Sequence, residues 1–221
     1  VFVPDIHTVP LRHTGGLFSE HSLVDDGELQ IGVWAAAPGT FGGSTGASDE
    51  VMLMVAGRAT VAYADGSFDL VPGALWSTPH DWDSQWTVHQ EIRKMYVIDN
   101  RQGAPAQAEY EGNAFALELG EATPRPTVIA GDPRERSRDV SVHNRLEAGV
   151  WDCTPGTFPF RRDGYDEVFC VLAGHATLSF DGGMSFDLRP GSMIVTPAGS
   201  TGTWTVHEHV RKAYVIVNDR G

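Results

Sequence analysis

Residues 50–79 read EVMLMVAGRATVAYADGSFDLVPGALWSTP, and residues 167–199 read EVFCVLAGHATLSFDGGMSFDLRPGSMIVTPAG. In both, short β-branched and aromatic runs are broken by Ala-Gly, Asp-Gly and Pro-Gly steps. That pattern predicts short strands joined by tight turns. Asp65-Gly66 and Asp181-Gly182 are hairpin signals between strands of alternating polarity. Pro72-Gly73 and Pro190-Gly191 mark a second turn before an apolar strand. Neither stretch sustains a 3.6-residue apolar period, so no helix is expected there. Short strands at close spacing predict an all-β sandwich or barrel.

The pattern occurs twice because the sequence does. Residues 32–98 and 149–216 align with one inserted residue, Met184, and 32 of the 67 aligned positions are identical. The shared pieces run in the same order: GVW, PGTF, DEV, SFDL with P-G, T-P, WTVH and RK-x-YVI. A unit of this length is far longer than a solenoid repeat, so each copy is a domain. The expected division is a first barrel over 1–112 and a second over 113–221. Residues 99–147, rich in Pro, Gly and charge, read as surface connection, with Phe115–Leu119 as a candidate edge strand. The first 15 residues have no counterpart before the second repeat. They suit an arm packed on the other barrel or on a second subunit.

Composition adds a few constraints. Hydrophobic residues make up 41% of the 221, enough for two cores, and no apolar run approaches the roughly 20 residues that span a bilayer. The chain begins at Val1, as a trimmed chain would, with no charged-then-apolar signal pattern. The formal net charge of −13 argues against nucleic acid or an anionic membrane as partner. Cys153 and Cys170 fall in expected strands without equivalents in the first half. They read as buried free thiols of a reducing, cytoplasmic compartment.

Glu50-x6-Gly57 followed by Gly73-x5-Pro79, and Glu167-x6-Gly174 followed by Gly191-x5-Pro197, resemble the two motifs of the cupin superfamily. The trailing W-x-V and R-K-x-Y resemble the branch holding ureidoglycine aminohydrolase-like and ethanolamine-utilisation-type proteins. The resemblance implies two tandem jelly-roll barrels, a bicupin, and places this chain among folds that host enzymes and plain binding proteins alike.

The resemblance also implies a metal held by three His and the motif Glu, and here the His are missing. Their positions fall on Gly43 and Thr45 (or Ser44 and Gly46) before Glu50, and on Phe160 and Arg162 (or Arg161 and Asp163) before Glu167. The third falls on Ser84 and Gly202. A lone carboxylate cannot satisfy a divalent transition ion, and Arg162 puts positive charge where the ion belongs. No metal or other cofactor is expected in the usual place. His207 and His209 read as an exposed hairpin tip at the barrel rim, and His80 and His175 as turn or surface residues.

Strand alternation from Glu167 turns Phe160, Arg162 and Phe169 toward the second barrel's interior, with Trp204 continuing the set. Glu167 and Arg162 are the candidate catalytic pair: a carboxylate for proton transfer and a fork for a substrate carboxylate or ureido group. Phe160, Tyr165, Phe169, Trp204, Lys212 and Tyr214 are candidate ligand contacts, with Glu50 and Trp86 in the first barrel. The competing reading is structural, because Glu, Trp, Lys and Tyr recur in both halves and a Glu–Lys bridge with a Trp plug holds a barrel together. Three functions follow: a metal-independent bicupin acting on or binding a small polar metabolite, a structural or assembly cupin, and an aminohydrolase of ureide breakdown. The last requires ligands that Phe169 and Val171 do not supply. A homodimer through sheet edges is compatible with all three.

Overall fold

The computed structural model describes residues 1–101 and 103–219. These are all-β, with antiparallel strands, and among the described residues no helix is long and apolar enough to cross a membrane. Contacts divide the chain into two compact units. One comprises Ile6–Ala114 with Val140–Leu146, and the other Val1–Asp5, Phe115–Asp139 and Glu147–Gly221. Each unit is a jelly-roll barrel.

In the unit containing the first repeat, the sheet runs Glu109–Glu111, Leu75–Thr78, Asp49–Tyr63, Asp83–Asp99, Leu29–Ala36, Phe18–Asp25, Arg12–Gly15. Gly39–Ser44 and Gly66–Leu70 pair with the far halves of the two long strands. Met52, Met54, Val61, Trp76, Trp86 and Ile92 fill its core. Within the same unit, Asn144 donates to Asp49 at 2.6 Å and Arg145 to Asp99 at 3.1 Å. Both carboxylates are buried, so these bonds offset much of their desolvation.

The sheet of the second repeat follows the same plan: Phe2–Val3, Met193–Thr196, Asp166–Phe180, Thr201–Val217, Leu146–Cys153, Arg134–His143, Thr123–Pro124. Gly156–Arg161 pairs with the first half of Thr201–Val217, and Ser185–Leu188 with the second half of Asp166–Phe180. The arm begins here: Phe2 pairs with Ile194 and Val3 with Met193. Its core gathers Phe158, Phe169, Val171, Leu178, Ile194, Trp204 and Val206.

The long strands serve both faces because they bend. Asp166–Phe180 breaks register against Thr201–Val217 between Val171 and Ala176, as β-bulges do at barrel corners. Gly174 sits in this bend at φ +83°, where a Cβ would lie 2.1 Å from the His209 carbonyl oxygen. Gly57 occupies the same bend in the other unit, 2.0 Å from the Glu91 carbonyl oxygen by the same construction. The glycine of the first sequence motif is therefore a steric requirement of the corner.

Two of the sequence expectations are overturned. Phe115–Leu119 forms a turn and an irregular segment, not a strand. His207 and His209 lie inside the continuous strand Thr201–Val217, so the hairpin tip expected there does not exist. His175 is on the strand Asp166–Phe180, its ring 4.6 Å from that of His207. His175 Nε2 meets the Asp187 carboxylate at 2.5 Å and His207 Nε2 the Thr177 hydroxyl at 2.8 Å, with His207 exposed. His80 does sit in a turn, but its ring is largely buried against Asp49 at 3.3 Å.

Candidate functional site

The second repeat's barrel encloses a cavity of about 370 Å³. Phe160 lies next to the end of the strand Gly156–Arg161, Arg162 and Tyr165 follow it, Glu167 is the second residue of the next strand, and Trp204, Lys212 and Tyr214 share the last. All of these line the cavity. Phe169 does not. It is fully buried beneath the cavity floor, its ring centroid 4.4 Å from Lys212 Nζ.

Glu167 is the centre of the floor. Lys212 Nζ donates to Oε1 and the Arg162 guanidinium forms an ion pair with Oε2. Arg162 Nε also donates to Thr196 Oγ1 at 3.0 Å, and that hydroxyl donates to the Glu167 carbonyl at 3.1 Å. All three charged side chains are buried. Lys212 is caged by Trp151 at 5.1 Å, Trp204 at 5.4 Å and Tyr214 at 5.9 Å from the ring centroids. Arg162 lies over Phe160 at 5.0 Å and Tyr165 at 5.7 Å. Electron-rich faces are what a buried cation needs where water is scarce.

Burial is the largest single influence on Glu167 and pushes its pKa up, but Lys212 and Arg162 together outweigh it and hold the carboxyl below the usual range. Lys212 shows the opposite balance. Burial lowers its pKa, Glu167 only partly restores it, and the nearby Arg162 lowers it further, to about 8. The floor thus carries two cations on one carboxylate, one of them able to exchange a proton near neutrality.

The wall and rim come from residues read in the sequence as surface connection. Arg125 pairs with Glu135 and its guanidinium lies 4.3 Å from the Phe158 centroid. Trp151 Nε1 donates to Glu135 at 2.8 Å, and Tyr214 donates to the exposed Asp139 at 2.6 Å. Glu147 also lines the cavity. Burial, then the neighbouring Asp139, raises its pKa. Gly149 explains why G-V-W and K-x-Y recur together. A Cβ there would lie 2.6 Å from the Tyr214 hydroxyl, so only glycine lets the phenol cross to Asp139.

The first repeat's barrel is built differently. Glu50 and Trp86 line a smaller cavity of about 150 Å³. Lys94 Nζ donates to Glu50 Oε1 at 2.9 Å and sits 4.9 Å from the Trp34 centroid. The partner of Arg162 is Thr45, whose hydroxyl turns away, donating to the Pro79 carbonyl at 2.7 Å and accepting from Trp82 N at 2.9 Å. The facing pair on the adjoining strands also differs in size. Phe160 faces Gly202 across paired strands, whereas Gly43 faces Ser84 and leaves room for Trp86.

Two segments, residues 23–96 and 141–214, match the model of the EutQ-like cupin domain. The chain belongs to the EutQ-like cupin family. It carries the domain twice, a bicupin. Among solved structures it is similar to a protein of unknown function from Pseudomonas syringae pv. tomato of the DUF861 family (20% identity, TM-score 0.75, 90% of this chain and 86% of that one covered). It is also similar to a cupin 2 conserved barrel domain protein from Leptotrichia buccalis (11%, 0.74, 99% and 96%). A mutant of Bacillus subtilis oxalate decarboxylase OxdC is a more distant match (14%, 0.62, 97% and 76%). At these identities the likeness is one of fold. No curated protein matches the chain.

The family resemblance implies a metal, and the residues present do not fit one. Both oxygens of Glu167 face cations of the chain itself. The His positions hold Phe160, Arg162 and Gly202. Among the described residues no three His, Cys, Asp or Glu lie together as a candidate ion site. A transition ion needs about four N, O or S donors in a defined geometry. Cys170, buried near none of these groups, has its thiol pushed up to about 12, chiefly by burial.

Proposed function

We propose that this bicupin binds a small bipolar metabolite in its second barrel without a metal. The ligand's carboxylate points at Lys212 and Arg162, and an amino or ureido group points at the rim. The observation that carries this reading is the charge gradient of the cavity. Its floor holds Lys212 and Arg162 against the single Glu167, while Asp139 and Glu147 at the mouth add negative charge beyond the Arg125–Glu135 pair. A carboxylate entering head-first meets the protonated Lys212 in a low-dielectric aromatic box, where a charge-assisted hydrogen bond is at its strongest. An N–H-bearing end then finds acceptors at the rim. The cavity volume suits a ligand of metabolite size.

Lys212 and Glu167 also give the site a proton donor and acceptor within one hydrogen bond of each other. With Lys212 titrating near 8, the pair can pass a proton to a bound ligand. An aminohydrolase that depends on a metal is disfavoured, because Lys212 and Arg162 hold the carboxylate that would bind the ion. Calorimetric titration with ureidoacetate, glycine and acetate tests the proposal. Ureidoacetate is expected to bind at least tenfold more tightly than acetate, and Lys212→Met to abolish the heat. Equal affinity for acetate would remove the role of the rim, and unaltered binding by the Met variant would remove the role of the floor.

A further inference from the structure

We infer that the first barrel is a receptor for a guanidinium group, the seat that Arg162 fills in the second barrel being vacant there. This inference is independent of the ligand proposed for the second barrel.

The duplication makes the argument possible, since each half supplies a template for the other. In the second barrel a guanidinium is held by three things: the Thr196 hydroxyl, the Glu167 carboxylate and flanking aromatic rings. The first barrel keeps the hydroxyl and the carboxylate and lacks the guanidinium, with Gly43 and Ser48 standing where Phe160 and Tyr165 flank it. Thr78 stands at the place of Thr196, fully buried, lining the cavity of about 150 Å³, and its Oγ1 has no hydrogen-bond partner among the described residues. Glu50 stands at the place of Glu167 and bonds Lys94 through Oε1 alone. Trp82 and Trp86 line the same cavity, replacing the faces lost with Phe160 and Tyr165. A buried hydroxyl without a partner is costly, and a cavity wall is where such an atom finds a ligand.

Two cations on one carboxylate is the arrangement the second barrel already uses, so Lys94 does not exclude a second positive group. An adjoining cavity of about 290 Å³ shares Trp34, Glu50 and Lys94 and adds Glu20. It gives room for the rest of the ligand and further negative charge. An ammonium offers a point charge on three donors. A guanidinium offers a planar fork that reaches hydroxyl and carboxylate together and lies flat on an indole.

The test is titration of the full-length protein with methylguanidinium chloride, followed by calorimetry and tryptophan fluorescence, with methylammonium chloride as control. Wild type is expected to show saturable binding with a dissociation constant on the order of 1 mM, reasonable for so few heavy atoms. Methylammonium is expected to bind at least tenfold more weakly. Thr45→Arg supplies the missing guanidinium from the chain itself and should abolish binding while the protein stays folded. Thr78→Val should weaken binding about tenfold, the value of one hydrogen bond to a charged group. Absence of saturation at about tenfold the expected dissociation constant, or binding that survives Thr45→Arg, overturns the inference. Should Thr45→Arg fail to fold, unchanged affinity in Thr78→Val overturns it alone.

Discussion

Glu167 stabilises two buried cations at once, while Glu50 answers only Lys94 and is partly exposed. Replacing each Glu by Gln therefore has unequal cost. Glu167→Gln leaves Lys212 and Arg162 buried against each other, and a loss on the order of 3 kcal/mol is expected from breaking such a cluster. Glu50→Gln leaves one buried cation, Lys94, instead of two. The carboxylate it removes is itself partly exposed, so the change should cost less, on the order of 1–2 kcal/mol. Urea unfolding of the two variants measures the difference, and equal losses would show that the clusters are alike. The pH response belongs to the same scale. Lys212 has a folded pKa of about 8 against an ordinary 10.5, so it loses its proton earlier in the folded protein. Affinity for a carboxylate ligand should fall as pH rises through 8, approaching tenfold per unit. A flat profile from pH 7 to 9.5 would detach Lys212 from the ligand. Cys153 and Cys170 shift the other way, both pushed up to about 12, chiefly by burial, from an ordinary 9.0. Between pH 9 and 12 the folded chain keeps thiol protons that the unfolded chain releases, so these residues stabilise below 9 and that contribution is lost as pH rises. Native protein at pH 8 should resist a disulfide-exchange reagent until it is unfolded. Rapid labelling without unfolding would contradict this.

At the level of strands, the parity of the side chains was the legible part. Period-two alternation from Glu167 turns Phe160, Arg162 and Trp204 inward, and the structure has them there, whereas the face taken by Lys212 came only from the structure. Alternation could not tell floor from core, so Phe169 has the right direction but lies too deep to touch a ligand. The wall formed by Arg125, Glu135 and Asp139 was illegible, because a strand rich in arginine and acid with one face on a polar cavity has the composition of a surface loop. The only trace was the weak rhyme between the lead-ins of the two repeats. The clustering of His207 with His175 was hidden for a different reason. It depends on register across a bulge, which the pattern does not encode. The bulge itself gives the test at this scale. Gly174→Ala forces a side chain at φ +83° into the His209 carbonyl, and a loss of about 3 kcal/mol or failure to fold is expected. Retained stability would mean that the corner can relax.

For the molecule as a whole, duplication has been followed by divergence of the loop before each motif glutamate. GGSTGAS leaves the first barrel with a small, aromatic cavity and an unbonded threonine. PFRRDGY fills the second with a guanidinium that completes an internal ion cluster. Neither loop carries a histidine, so neither barrel offers the ligand set that the resemblance implies, and the two differ in what stands there. The net charge of −13 surrounds a second-barrel floor that is locally positive, which suits a ligand with a carboxylate at one end and N–H donors at the other. The most direct measurement is calorimetric titration of ureidoacetate into protein stripped with a strong chelator, repeated after zinc or manganese is restored. Saturable binding that is the same before and after metal is the predicted result. Binding that appears only with the metal would contradict the account.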